Sequence, residues 1–119
     1  MNYPKVEIDT NKIKHNVEII VNSCKDKGIS VAGVTKVFCA NPEITKAYID
    51  GGVDYLADSR IENLIKLKDF NVPKILLRLP MKSEAELVVE YADISLNSEI
   101  ETIRSLSEKA MGKNIIHKI

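Results

Sequence analysis

Ile29-Ser30-Val31-Ala32-Gly33-Val34-Thr35-Lys36 is a short apolar run that ends on a lysine and gives way, at Asn41-Pro42, to a helix start. The run has the composition of a buried strand bounded by turn signals. Asn41 in the cap position and Pro42 in the first turn suit a helix whose inward face is Ile44, Ala47 and Tyr48, closed by Gly51-Gly52. A lysine at the carboxyl end of a buried strand is costly to desolvate, and burial lowers its pKa toward the neutral amine that attacks carbonyls. The alternative is a lysine that ends a strand and extends its ammonium to water.

The same strand-then-helix unit recurs on both sides. Lys5-Val6-Glu7-Ile8-Asp9 is expected as an opening strand, followed by a helix with Ile13, Val17, Ile20, Val21 and Cys24 on one face, Thr10 as its cap and Gly28 as its end. Downstream, Val53-Asp54-Tyr55-Leu56-Ala57 leads into Asp58-Ser59 and a helix carrying Ile61, Leu64 and Ile65. Lys74-Ile75-Leu76-Leu77-Arg78-Leu79 ends at Pro80 and is followed by Ser83 and Glu86 in capping-box spacing. Ala92-Asp93-Ile94-Ser95-Leu96 meets Asn97-Ser98, where Ser98 and Glu101 form a second box. The helix after it buries Ile100, Ile103, Leu106 and Ala110 and stops at Gly112, and Asn114–Ile119 begins another strand.

Strand ends therefore fall near residues 36, 58, 79 and 96, each separated by a helix, which is the pattern of right-handed βα units in a parallel sheet. An open doubly wound sheet needs a switch point, whereas a (β/α)8 TIM barrel repeats for about 250 residues. A fifth strand cut short at residue 119 fits the barrel, so we expect residues 1–119 to be about the first half of one. In either closure the ligand end is the carboxyl edge of the strands. Lys36, Asp58, Ser59, Arg78 and Asn97 fall there. Asp58, Ser59 and Asn97 are equally explained as helix caps. Arg78 interrupts an apolar strand, where a guanidinium needs an anionic or polar partner, so it is expected at the wall of a site.

Seventeen basic and seventeen acidic residues cancel, leaving no field to attract nucleic acid or an anionic membrane. No apolar stretch approaches the roughly 20 residues that span a bilayer. Cys24 and Cys39 lack metal-ligand spacing, so no metal site is expected, and reduced thiols with no amino-terminal signal core point to the cytoplasm. His15 and His117 read as a surface residue and as part of an unfinished strand.

Val6-Glu7-Ile8-Asp9, Lys14-His15-Asn16, Val31–Val37 and Leu56-Ala57-Asp58-Ser59-Arg60-Ile61-Glu62-Asn63, with Leu76–Met81 and Ala92–Ser98, resemble the amino-terminal half of a pyridoxal-phosphate amino-acid racemase of the alanine racemase fold type. The resemblance covers the whole chain. It implies pyridoxal 5'-phosphate as cofactor, Lys36 as the residue forming the internal aldimine and one proton-transfer base, and Ser59, Arg78 and Asn97 around the pocket. It implies racemisation of an amino acid, ornithine-like by preference, by a homo-oligomer such as a dimer. Val37, Phe38 and Cys39 stand where alanine racemases proper usually continue with tyrosine and glycine, which points away from alanine as substrate. The second base, the phosphate-gripping loops and a β-rich carboxyl-terminal domain come later in that family, so the 119 residues alone are expected to be weakly active or inactive. Two other readings remain open at this point. One is a carrier that holds pyridoxal phosphate without racemising anything, and the other is an inert half-barrel whose open edges pair with a second copy.

Overall fold

A computed structural model describes residues 2–119. Five helices alternate with four strands: α1 (Thr10–Lys25), β1 (Ala32–Val34), α2 (Pro42–Asp50), β2 (Tyr55–Asp58), α3 (Ile61–Lys66), β3 (Lys74–Leu76), α4 (Ala85–Tyr91), β4 (Ile94–Ser95) and α5 (Ile100–Lys113). Single 3-10 turns lie at Lys36–Phe38 and Lys82–Glu84. Every strand pair is parallel and the spatial order is β1-β2-β3-β4, with Gly33 beside Leu56, Ala57 beside Ile75 and Leu76 beside Ser95. Strands that neighbour one another in chain order, with no reversal of direction across the sheet, are those of a partial α/β barrel rather than a doubly wound sheet.

Two helix starts show why the chain breaks where it does. Asn41 Oδ1 accepts the Glu43 and Ile44 amides at 3.0 and 3.2 Å, with Pro42 at the first position, as expected. In α1 the cap is Asp9 rather than Thr10: its Oδ1 accepts from Asn11 and Lys12 at 3.0 and 3.2 Å. The apolar faces pack as two clusters against the sheet. One joins Val21, Ala40, Val53, Leu56 and Leu67, and the other joins Ile61, Leu64, Leu76, Val88, Val89 and Leu106. Burying each leucine or valine contributes about 1.5–3 kcal/mol. Gly33 lets α2 sit against β1, since a Cβ there would lie 2.6 Å from Tyr48 Cδ2. Gly51 does the same for α1 against α2, where a Cβ would lie 2.6 Å from Val17 Cγ1.

Several local expectations are corrected. Lys5–Asp9 forms no strand; Val6 is 88% exposed, Lys5 pairs with Glu7, and two uncovered apolar side chains do not offset the entropy of ordering the segment. Ile20 and Ile100 lie outside the apolar faces assigned to them and are exposed. The strands are shorter than the apolar runs. In β3 the register ends at Leu76, with Leu77 N–H still reaching Asp58 O at 2.9 Å; Arg78 and Leu79 then run free toward Pro80, which has no N–H to donate. Neither expected capping box forms. Glu84, not Glu86, receives the Met81 amide at 2.8 Å, and α5 starts behind Glu99 with no side-chain cap. That helix runs through Gly112 and ends at Asn114, whose φ of 53° is left-handed. The expected fifth strand is a single parallel bridge, Ile94 to Lys118.

A candidate active site at the carboxyl edge of the sheet

Each candidate side chain leaves the sheet where a strand stops. Lys36 follows β1 by two residues, Ser59 follows β2 directly, Arg78 lies two residues beyond β3, and Asn97 two beyond β4. Ser59 and Arg78 line one cleft of about 90 Å³ with Leu76, Leu79 and Pro80. Asn97 lines a neighbouring cleft of about 360 Å³ between Leu79–Lys82 and the start of α5. Leu79 and Pro80 form the wall between the two. Lys36 lines neither cleft.

Two expectations about charge are corrected. Lys36 is exposed rather than buried, because β1 ends at Val34 and the lysine opens a 3-10 turn outside the ladder. Arg78 is likewise exposed, past the end of its strand. The buried lysine is Lys74, 7% exposed, at the amino end of β3 and hence at the opposite edge. Its Nζ donates to Phe70 O at 2.8 Å and Val72 O at 2.9 Å. Burial pushes its pKa below the ordinary lysine value, and the Asp93 carboxylate pulls it partly back. Those carbonyls close the loop after α3, so Lys74 is structural.

Behind Lys36 lies a polar node that the sequence did not disclose. Asp58, 0% exposed, accepts from the Thr35 hydroxyl at 2.7 Å, the Arg60 amide at 2.9 Å and Asn63 Nδ2 at 3.1 and 3.2 Å. A second network supports Asn97. His117 Nδ1 faces the Ala92 carbonyl at 3.1 Å and must donate to it, which leaves Nε2 to accept from the Ser95 hydroxyl at 2.7 Å. Asn97 Nδ2 then donates to Ser95 Oγ at 2.9 Å and Ser95 O at 3.0 Å. Burial pushes the His117 pKa down, against opposing pulls from Ala92 and Asp93, so the neutral ring this polarity needs is favoured. The chain of donors runs from Asn97 through Ser95 and His117 to the Ala92 carbonyl and leaves Asn97 Oδ1 buried without a partner among the described residues. An orphaned buried acceptor costs about 1–3 kcal/mol, which a donor on a ligand would relieve.

The edge thus offers an exposed primary amine, a guanidinium and a hydroxyl sharing one cleft, and a fixed acceptor in the next. Among the described residues no group of three or more His, Cys, Asp or Glu is placed to hold a metal ion. No helix is long and apolar enough to cross a membrane. Residues 8–118 match the family described as alanine racemase, N-terminal domain.

The chain belongs to that family.

Among alanine racemase N-terminal domain relatives, ornithine racemase from Acetoanaerobium sticklandii is 49% identical over 117 residues, covering 98% of this chain and 33% of the relative. Lysine racemase from Thermotoga maritima is 31% identical over 119 residues, covering 97% of this chain and 34% of the relative. The chain therefore spans about a third of the length of these curated relatives. An alanine racemase from Clostridium difficile superposes with a TM-score of 0.71 at 20% identity, over 88% of this chain and 28% of that one. At that identity the superposition speaks for the fold, and it agrees with the sequential parallel sheet as the start of a barrel.

Lys36, Ser59, Arg78 and Asn97 lie at the carboxyl edge of the sheet, where the strand ends in the sequence put them, whereas the hydrogen-bonding roles of Thr35, Asn63, Ser95 and His117 carry no such mark in the sequence. Their partners lie 5 to 25 residues away, and short-range spacing carries no signal for such pairs.

Proposed function

We propose that this chain is the amino-terminal part of a pyridoxal-phosphate-dependent amino-acid racemase acting on a diamino acid of the ornithine class. The observation that carries the reading is Lys36, the one lysine among the strand-end residues, in a chain 49% identical to an ornithine racemase. The 31% identity to a lysine racemase supports a substrate with a basic side chain.

The residues at the edge fit the cofactor's groups. Lys36 Nζ is an accessible amine for the aldehyde, the Arg78 guanidinium and Ser59 hydroxyl suit an anionic group, and Asn97 Oδ1 calls for a donor. When bound, pyridoxal phosphate supplies a ring that delocalises the electron pair left by loss of an α-proton. Lys36, as a free amine, removes or returns that proton on one face of the α-carbon. Arg78 and Ser59 would face an anionic group other than the phosphate at that edge, and Asn97, held by Ser95 and His117, fixes the neighbouring wall. Racemisation needs a second group on the other face, so one amine leaves the isolated 119-residue chain weakly active or inactive.

Full-length protein loaded with pyridoxal phosphate should convert L-ornithine to the racemate, followed by chiral chromatography, and Lys36→Ala should abolish the conversion. Racemisation at an undiminished rate in Lys36→Ala would refute the assignment. Cofactor binding without exchange of the substrate α-proton in deuterated water would favour a carrier instead.

A further inference from the structure

We propose that Asp58 is a positioning residue for Lys36, acting through the Thr35 hydroxyl; the inference rests on Lys36 being the cofactor lysine. The exposed Lys36 side chain is not held by packing, so its aim depends on the backbone from which it leaves. That backbone is fixed at Thr35. The Thr35 amide donates to Ala57 O at 2.9 Å, its hydroxyl donates to Asp58 Oδ2 at 2.7 Å, and its carbonyl accepts the Ala40 amide at 3.0 Å. The Lys36–Phe38 turn is closed by Cys39 N–H to Lys36 O at 3.2 Å.

Two observations set this apart from ordinary capping. Asp9 and Asn41 cap their helices from exposed positions, each taking two main-chain amides. Asp58 is wholly buried, takes one amide, and directs its remaining capacity at Thr35 and Asn63. Among the described residues no lysine, arginine or histidine forms an ion pair with it. A buried carboxylate without a cation is a poor way to gain stability, which a well-packed apolar side chain supplies more cheaply. The second observation is strain. Cys39 and Ala40, neither of them glycine, lie consecutively in the left-handed region at φ 51° and 55°. Such conformations persist only where surroundings over-determine them. Here Ala40 is buried with its amide on Thr35, and Lys66 Nζ donates to Cys39 O at 3.3 Å. The clamp on one side and the strained corner on the other hold one turn between them, and Lys36 opens that turn.

The test traps the amine. Lys36 Nζ condenses with the aldehyde of pyridoxal phosphate, losing water, and hydride from borohydride reduces the C=N bond to a secondary amine, which peptide mass mapping assigns and times. In full-length protein, Thr35→Val should slow trapping at Lys36 about tenfold or more, the scale of loss expected for a misplaced reacting group. Thr35→Ser, which keeps the hydroxyl, should trap within about twofold of wild type. Val88→Ala, a remote core variant, should melt lower without slowing the trapping. If Thr35→Val does not fold, Thr35→Ala removes the hydroxyl without adding a methyl group against Asp58. Trapping in the hydroxyl-free variants no slower than in Val88→Ala would overturn the proposal while leaving Lys36 as the cofactor lysine. Wild-type protein with no adduct on Lys36 would overturn both.

Discussion

Replacing Asp58 with alanine removes the acceptor for three donors at once. Thr35 Oγ1, Arg60 N and Asn63 Nδ2 approach it at 2.7, 2.9 and 3.1 Å, and the site is sealed from water at 0% exposure. A buried donor stripped of its partner costs about 1–3 kcal/mol. The Thr35 hydroxyl has a fallback, a 3.4 Å contact with Ala57 O, so only two donors are fully stranded. Their cost of about 2–6 kcal/mol is offset in part because no carboxylate is then kept out of water. The expected loss is about 2–4 kcal/mol, a large share of the 5–15 kcal/mol typical of a domain. Urea unfolding at pH 7 followed by circular dichroism, at constant m-value, measures it. A loss below about 0.5 kcal/mol, or a gain, would refute the reasoning, since the buried charge would then cost as much as its hydrogen bonds return.

Two further outcomes follow from the packing and titration of the fold. Gly33→Ala drives a Cβ to 2.6 Å from Tyr48 Cδ2, so the ring, which meets Phe38 edge-on at 5.4 Å, must shift; the expected destabilisation is about 1–3 kcal/mol by the same unfolding assay. His117 is held below the ordinary histidine pKa of 6.5 chiefly by burial, so between its folded value and 6.5 the unfolded chain binds more protons than the folded one. Stability should therefore fall as pH drops through that window, and His117→Gln should flatten this part of the profile; an unchanged slope in the variant would show that His117 is not the group responsible.

The repeating units were legible because each strand–helix boundary is written locally: Asn41-Pro42 names a helix start, and Ile61, Leu64 and Ile65 name its buried face. The strands' sequential order was legible only as a preference for the barrel, since pairing is long-range. Burial was the weakest part. An apolar run of eight residues ending in Lys36 yields only three paired residues, Ala32–Val34, and the lysine emerges into solvent. Lys74, which opens its run and was passed over, is the buried one because two loop carbonyls receive its ammonium. Asp58 was visible as a polar residue after a strand, but a cap and a clamp look alike until Thr35, 23 positions earlier, is placed beside it. His117 read as part of an unfinished strand, yet its ring sets the direction of the Ser95–Asn97 chain.

The assignment of Lys36 is tested most directly by reducing the full-length protein with borohydride in the presence of pyridoxal phosphate and mapping the adduct by mass. The account predicts a single dominant pyridoxyl group on the peptide bearing Lys36, competed away by ornithine. A modification spread over the exposed lysines in proportion to their accessibility, or one centred on Lys74, would contradict it.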